Sequence, residues 1–115
     1  MFKWPRRDAV VGAAEKWAAA LVERDAAVVR VGYIGSYARG DWGVGSDLDV
    51  IVILSDTSTP PLERQRHYYP DDLPVHADVW VYTQLEWNRV ADDSPGLFHR
   101  LCKEWRDLSA HEPRA

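Results

Sequence analysis

Apolar residues recur at three- and four-residue steps from Asp8 to about Arg24, through Val10, Val11, Ala14, Trp17, Ala18, Leu21 and Val22, which predicts an amphipathic helix. Its alanines add intrinsic helix propensity. The period then changes. Val28 to Ile34 is rich in β-branched residues and reads as a strand, ended by Gly35-Ser36; Tyr37-Ala38-Arg39 opens a short helix that Gly40 stops. Asp47 to Leu54 is a second strand whose run Val50-Ile51-Val52-Ile53-Leu54 fits burial on both faces. Ser55 to Pro61 is a breaker-rich loop, and Leu62 to Pro74 has no clear period, reading as a surface excursion with one helical turn.

From Val75 to Tyr82 the chain alternates cleanly. Val75, Ala77, Val79 and Val81 fall on one face of a third strand, and His76, Asp78, Trp80 and Tyr82 on the other. Thr83-Gln84-Leu85-Glu86 has capping-box spacing and starts a helix through about Val90. Ser94-Pro95-Gly96 starts another, with Ser94 as its cap and Pro95 in the first turn, running to about Leu108. No repeat or low-complexity segment interrupts this order.

A chain of 115 residues makes one domain, 1–115, with a core of moderate size. The 46% hydrophobic and 28% charged composition is that of a globular protein, with no membrane-length apolar stretch and no signal-peptide pattern after Met1, so the expected setting is the cytoplasm. Cys102 is the single cysteine, which excludes an internal disulfide, and it reads as an inert thiol on a helix. A net charge of −4 argues against extended nucleic-acid binding while leaving small phosphorylated substrates open. The basic, aromatic start Met1 to Arg7 reads as a solvated terminus, with a partner contact as the other option.

Asp47 and Asp49 stand at the mouth of the second strand. Two residues apart on an extended chain, they project to one side about 6.5 Å from each other and can converge on one cation or bracket two. Ionised carboxylates there need pairing or metal to offset lost hydration. Asp78 completes a trio if its strand pairs beside that of Asp49. Three such groups raise one another's pKa, and a cation reverses that. Magnesium suits hard oxygen ligands and accepts phosphates in its remaining positions, and two-metal sites hold their ions roughly 3.5–4 Å apart. Taken singly, Asp47 and Asp49 are also compatible with turn chemistry, and Asp78 with the polar face of a strand.

Gly35 permits a tight turn and close approach of a ligand, and the Ser36 hydroxyl with the amides after it can receive phosphate oxygens at a helix start. No Lys-Ser or Lys-Thr follows, so the P-loop pattern is absent. Arg39 can neutralise a phosphate or pair with an aspartate. His76 shares the face of Asp78 and reads as an exposed strand histidine; His67, His99 and His111 show no metal-ligand spacing.

Gly35-Ser36-x-Ala38-Arg39-Gly40, then Ser46-Asp47-x-Asp49, then a later strand aspartate together resemble the minimal nucleotidyltransferase family of the DNA polymerase beta superfold. The likeness spans roughly Val28 to Tyr82 with no departure at the motif positions. It implies an α/β (α+β) fold in which a small mixed sheet is flanked by helices and both motifs border one cleft. It also implies that Asp47, Asp49 and Asp78 are catalytic and hold two magnesium ions. Gly35, Ser36, Arg39 and Ser46 would hold the nucleotide, and Asp78 would help activate the acceptor. The reaction implied is attack of a hydroxyl on the α-phosphate of a nucleoside triphosphate, ATP being expected.

Larger relatives carry an added domain that grips the acceptor. For a chain of this length the expected acceptor is small or is another protein, and a homodimer or hetero-complex is expected to complete the site. Family members of this size resemble antitoxins paired with a HEPN-type helical ribonuclease toxin, to which they attach AMP at a tyrosine. Six tryptophans, with Trp42 between the motifs, are compatible with an aromatic docking surface, although most, Trp17 above all, read as core. Arg106 and His111 fit an Arg-x4-His ribonuclease spacing, which chance supplies at this arginine content. The rival readings are a free-standing transferase acting on a small hydroxylated molecule, and a non-catalytic antitoxin that neutralises its partner by occlusion.

Overall fold

The computed structural model describes residues 3–109. The predicted first helix is α1 (Arg7–Arg24), and the residues it buries, Val10, Ala14, Ala18 and Leu21, fall at the spacing of one helical face. The β-branched segment forms β1 (Val28–Ile34) and the short turn after it forms α2 (Ser36–Arg39), closed by Gly40 in the left-handed conformation. The branched apolar run is β2 (Leu48–Leu54), with Asp47 just ahead of it.

Arg106 and Asp107 form a short fourth strand, β4, that the sequence pattern did not predict. With β3 (Ala77–Thr83) they complete a four-stranded sheet in the order β3-β2-β1-β4. β1 runs antiparallel to β2 and β4, while β2 and β3 are parallel. The sheet is therefore small and mixed, with helices on both faces.

Alternation along β2 divides the core in two. Leu48, Val50, Val52 and Leu54 pack with α1 residues in the larger cluster; Ile51 and Ile53 pack with Trp87 on the opposite face. Burial on both faces is what the unbroken apolar run predicted.

The ambiguous stretch contains α3 (Pro61–His67), a helix of almost two turns rather than one. Arg64, 5% exposed, holds it to the rest of the fold. Its guanidinium donates to the Thr59 and Val81 carbonyls and to Glu86 Oε1 at 2.6 Å. Glu86 is also the return half of the predicted capping box: Thr83 Oγ1 accepts from the Glu86 amide, and Glu86 accepts from the Thr83 amide. That box starts α4 (Gln84–Asp93).

The last helix, α5 (Pro95–Glu104), begins as predicted, although the Ser94 hydroxyl makes no capping bond. It ends at Glu104 and not near Leu108, because Trp105 adopts φ −54°, ψ 127° and turns the chain into β4. Gly32 makes that turn possible, since a Cβ there would overlap the Trp105 ring, which lies over β1.

Most of the tryptophans are core, as read: Trp87 is buried, and Trp4, Trp17, Trp42 and Trp105 are half-buried and pack against the two clusters. Trp80 is exposed. The expected solvated start is corrected. Trp4 Nε1 donates to Tyr37 Oη, and Arg7 donates to the Tyr33 hydroxyl and the Tyr37 carbonyl, tying residues 4–7 to β1 and α2. Met1, Phe2 and His111 lie outside the described residues. None of the described helices is long and apolar enough to cross a membrane.

Candidate active site

β2 and β3 run parallel in a register that makes Asp49 and Asp78 direct partners. Asp49 also stands opposite Ile34, the residue before Gly35-Ser36. One end of the sheet thus brings together both motifs and the third aspartate, because β1 ends where β2 begins and β3 starts level with β2.

Asp47, His76 and Asp78 each offer a ligand atom within 4.8 Å of the others. His76 Nδ1 lies 3.6 Å from Asp47 Oδ2 and 4.0 Å from Asp78 Oδ1. Asp49 sits deeper. Burial, then the charges of Asp78 and Asp47, push its carboxyl up to about 6. A cation placed among these groups relieves both causes, and their mainly hard-oxygen character fits magnesium. His76 is the one nitrogen donor, a residue read from sequence as merely exposed.

Gly35 has φ 78° and ψ −152°, a conformation reserved for glycine. The Asp49 carboxylate fills the space that a Cβ on residue 35 would occupy. The turn and the acid are therefore in direct contact. α2 is a single turn, so its anion-binding capacity rests on its first amides rather than on a summed helix dipole.

Glu104 is the site neighbour that sequence reasoning missed. Its Oε1 accepts from the Gly35 amide at 3.0 Å and from Arg39 Nη1 at 3.3 Å. Arg39 also bonds Asp41, and these two acids raise its pKa, with the Asp41 hydrogen bond the largest contribution. Of the two roles read for Arg39, the aspartate it meets is thus Asp41 rather than the trio. Ser46 Oγ accepts from the Gly43 amide at 2.8 Å and shapes the loop that delivers Asp47. Trp42 stacks on Tyr37 with ring centroids 5.7 Å apart, bracing the same loop.

The family model for the nucleotidyltransferase domain matches residues 15–105, a span that includes every residue of this site. A solved structure from Sulfolobus solfataricus, described as a candidate nucleotidyltransferase, superposes with a TM-score of 0.58 at 20% identity, covering 75% of this chain and 78% of that one. At that identity the likeness speaks for the fold. No curated protein matches the chain significantly.

Proposed function

The chain belongs to the nucleotidyltransferase domain family, and on that premise we propose that this single domain transfers AMP from ATP to a hydroxyl on a partner protein. The acceptor in this reading is a tyrosine of a HEPN-type toxin, which makes the chain an antitoxin of the cytoplasm acting in a hetero-complex. The observation that carries it is the pairing of Asp49 with Asp78 beside the Gly35-Ser36 turn.

In this reading the triphosphate lies along the Ser36 and Tyr37 amides at the start of α2, beside the Gly35 amide that Glu104 holds, with Arg39 at hand to neutralise its outer charge. Asp47, Asp49 and Asp78 would hold divalent magnesium, which would supply Lewis-acid polarisation of the phosphoryl oxygens. Asp78 faces the acceptor and receives its proton as the hydroxyl oxygen bonds to the α-phosphorus and pyrophosphate departs. Catalysis of this kind is mostly positioning and charge neutralisation, so no cysteine or histidine nucleophile is required.

Incubation of the chain with α-labelled ATP, magnesium and a HEPN protein encoded beside it tests the proposal. Label on a partner tyrosine is the expected result. Label on small hydroxylated molecules alone transfers the assignment to the free-standing reading, and neutralisation without label transfers it to occlusion.

A further inference from the structure

The parallel register that pairs Asp49 with Asp78 pairs Leu48 with Ala77, and the Leu48 amide extends it one position further by donating to the His76 carbonyl at 3.0 Å. Side chains two apart on an extended chain share a face. Asp47 and Asp49 on one chain, with His76 and Asp78 on the other, are therefore neighbouring positions at one end of the parallel pair. Three of them converge: Asp47, His76 and Asp78 have ligand atoms within 4.8 Å of one another. Asp49 is not one of these three, and its carboxylate lies instead against Gly35, on the side of β1. The geometry groups the histidine, and not the third aspartate, with the outer two acids.

The imidazole is aimed at those acids by one atom. Nδ1 lies 3.6 Å from Asp47 Oδ2 and 4.0 Å from Asp78 Oδ1, both longer than a direct hydrogen bond. Ligands that each stand about 2.0–2.2 Å from one ion are roughly 3–4 Å from one another, so these are the separations of groups that share a cation. The Tyr69 ring lies beside the imidazole, with centroids 5.9 Å apart. Tyr69 is itself anchored, because its hydroxyl accepts from the Ala77 amide at 3.2 Å. Packing of this kind limits the orientations open to the histidine ring.

We propose that His76 is a metal ligand through Nδ1, and that with Asp47 and Asp78 it forms a mixed nitrogen and oxygen position that selects a first-row transition dication of the manganese class over magnesium. This rests on the nucleotidyl-transfer reading above and deepens it, since it divides the site into two unlike positions. The inner one, at Asp49 beside the Gly35 turn, offers oxygen alone and suits magnesium. The outer one carries an imidazole, a donor that suits transition dications, whereas magnesium is matched by carboxylate and water. Three aspartates alone would not make that distinction.

The test titrates the full chain with manganese or magnesium alone, without nucleotide, and records pulsed electron paramagnetic resonance of the bound manganese. The native spectrum should carry the nitrogen coupling of a coordinated imidazole, and His76→Ala should lose it. The same variant should weaken manganese binding about tenfold or more, at least the loss that follows from removing a supporting partner of a ligand, while magnesium binding changes by less than about threefold. His76→Asp, which restores a ligand without nitrogen, should recover manganese binding, lack the coupling and narrow the gap between the two ions. The His76 side chain is 62% exposed and the sheet uses only its backbone carbonyl, so both variants should fold; the native spectrum decides the point even if one does not. Bound manganese without nitrogen coupling overturns the proposal and makes His76 an ion-pair partner of the acids, while the transferase reading stands. Coupling that persists in His76→Ala overturns it by placing the nitrogen donor elsewhere, and equal losses of both ions overturn the selectivity. A native chain that binds neither ion sinks the three-aspartate site and this proposal together.

Discussion

The carboxylate of Asp49 occupies the space that a side chain on Gly35 would need. A residue of β2 and the turn that follows β1 are thereby locked into one unit, and the positive φ of Gly35 reinforces the requirement for glycine.

Gly35→Ala should therefore cost both stability and function. Forcing alanine into this glycine-only region costs about 1–3 kcal/mol, read as a lower denaturant midpoint. Nucleotidyl transfer should fall by more than that loss implies, on the order of a hundredfold, because the new methyl group drives Asp49 from its place. A variant with native transfer would show that the contact does not matter to the site.

Asp49 gives the metal-free chain a specific pH dependence. Its folded pKa of about 6 lies above the ordinary 3.8, raised first by burial and then by Asp78 and Asp47. Between those two values the folded state keeps a proton that the unfolded state has lost, so stability falls as pH rises through roughly 4 to 6 and then levels off. Thermal melts across pH 4–8 should show this fall, and Asp49→Asn should flatten it. Magnesium should raise Tm more at pH 7.5 than at pH 5, since it binds the ionised form.

Glu104 places a negative charge where a phosphate is expected. Glu104→Gln retains an acceptor for the Gly35 amide and removes the charge, so affinity for ATP should rise about two- to fivefold, the scale of a partly exposed ion pair. Glu104→Ala, which also removes that acceptor, should gain less. Calorimetric titration with magnesium and ATP distinguishes them.

Arg64 and Glu86 act far from the chemistry. Removing a nearly buried guanidinium that joins α3, the Val81 carbonyl and the α4 capping box should destabilise the fold by about 2–3 kcal/mol. That is below the range for fully buried pairs, because the Glu86 side chain is 35% exposed. Arg64→Ala should lower Tm while leaving the affinity for ATP close to native at a temperature where it is folded.

Much of this architecture is legible in the residues because it is local. The unbroken apolar run marked β2, strict alternation marked β3 with Asp78 on the opposite side from Val79 and Val81, and Thr83 with Glu86 marked the start of α4. What escaped depends on distant pairing. β4 has two residues and exists only against Gly32 and Tyr33. Glu104 reaches Gly35 across 69 positions of sequence. Trp17 packs against the larger cluster but stays half-buried at the edge of the buried stripe, a degree of burial that periodicity does not resolve.

Magnesium-dependent ATP binding is the most direct test of the central claim that Asp47, Asp49 and Asp78 form one cation site beside the Gly35 turn. Calorimetry on the native chain and on Asp49→Asn, with and without magnesium, should show at least about tenfold tighter ATP binding with the ion in the native chain and none of that gain in the variant. An ATP affinity indifferent to magnesium, or a variant that keeps the full gain, would contradict it.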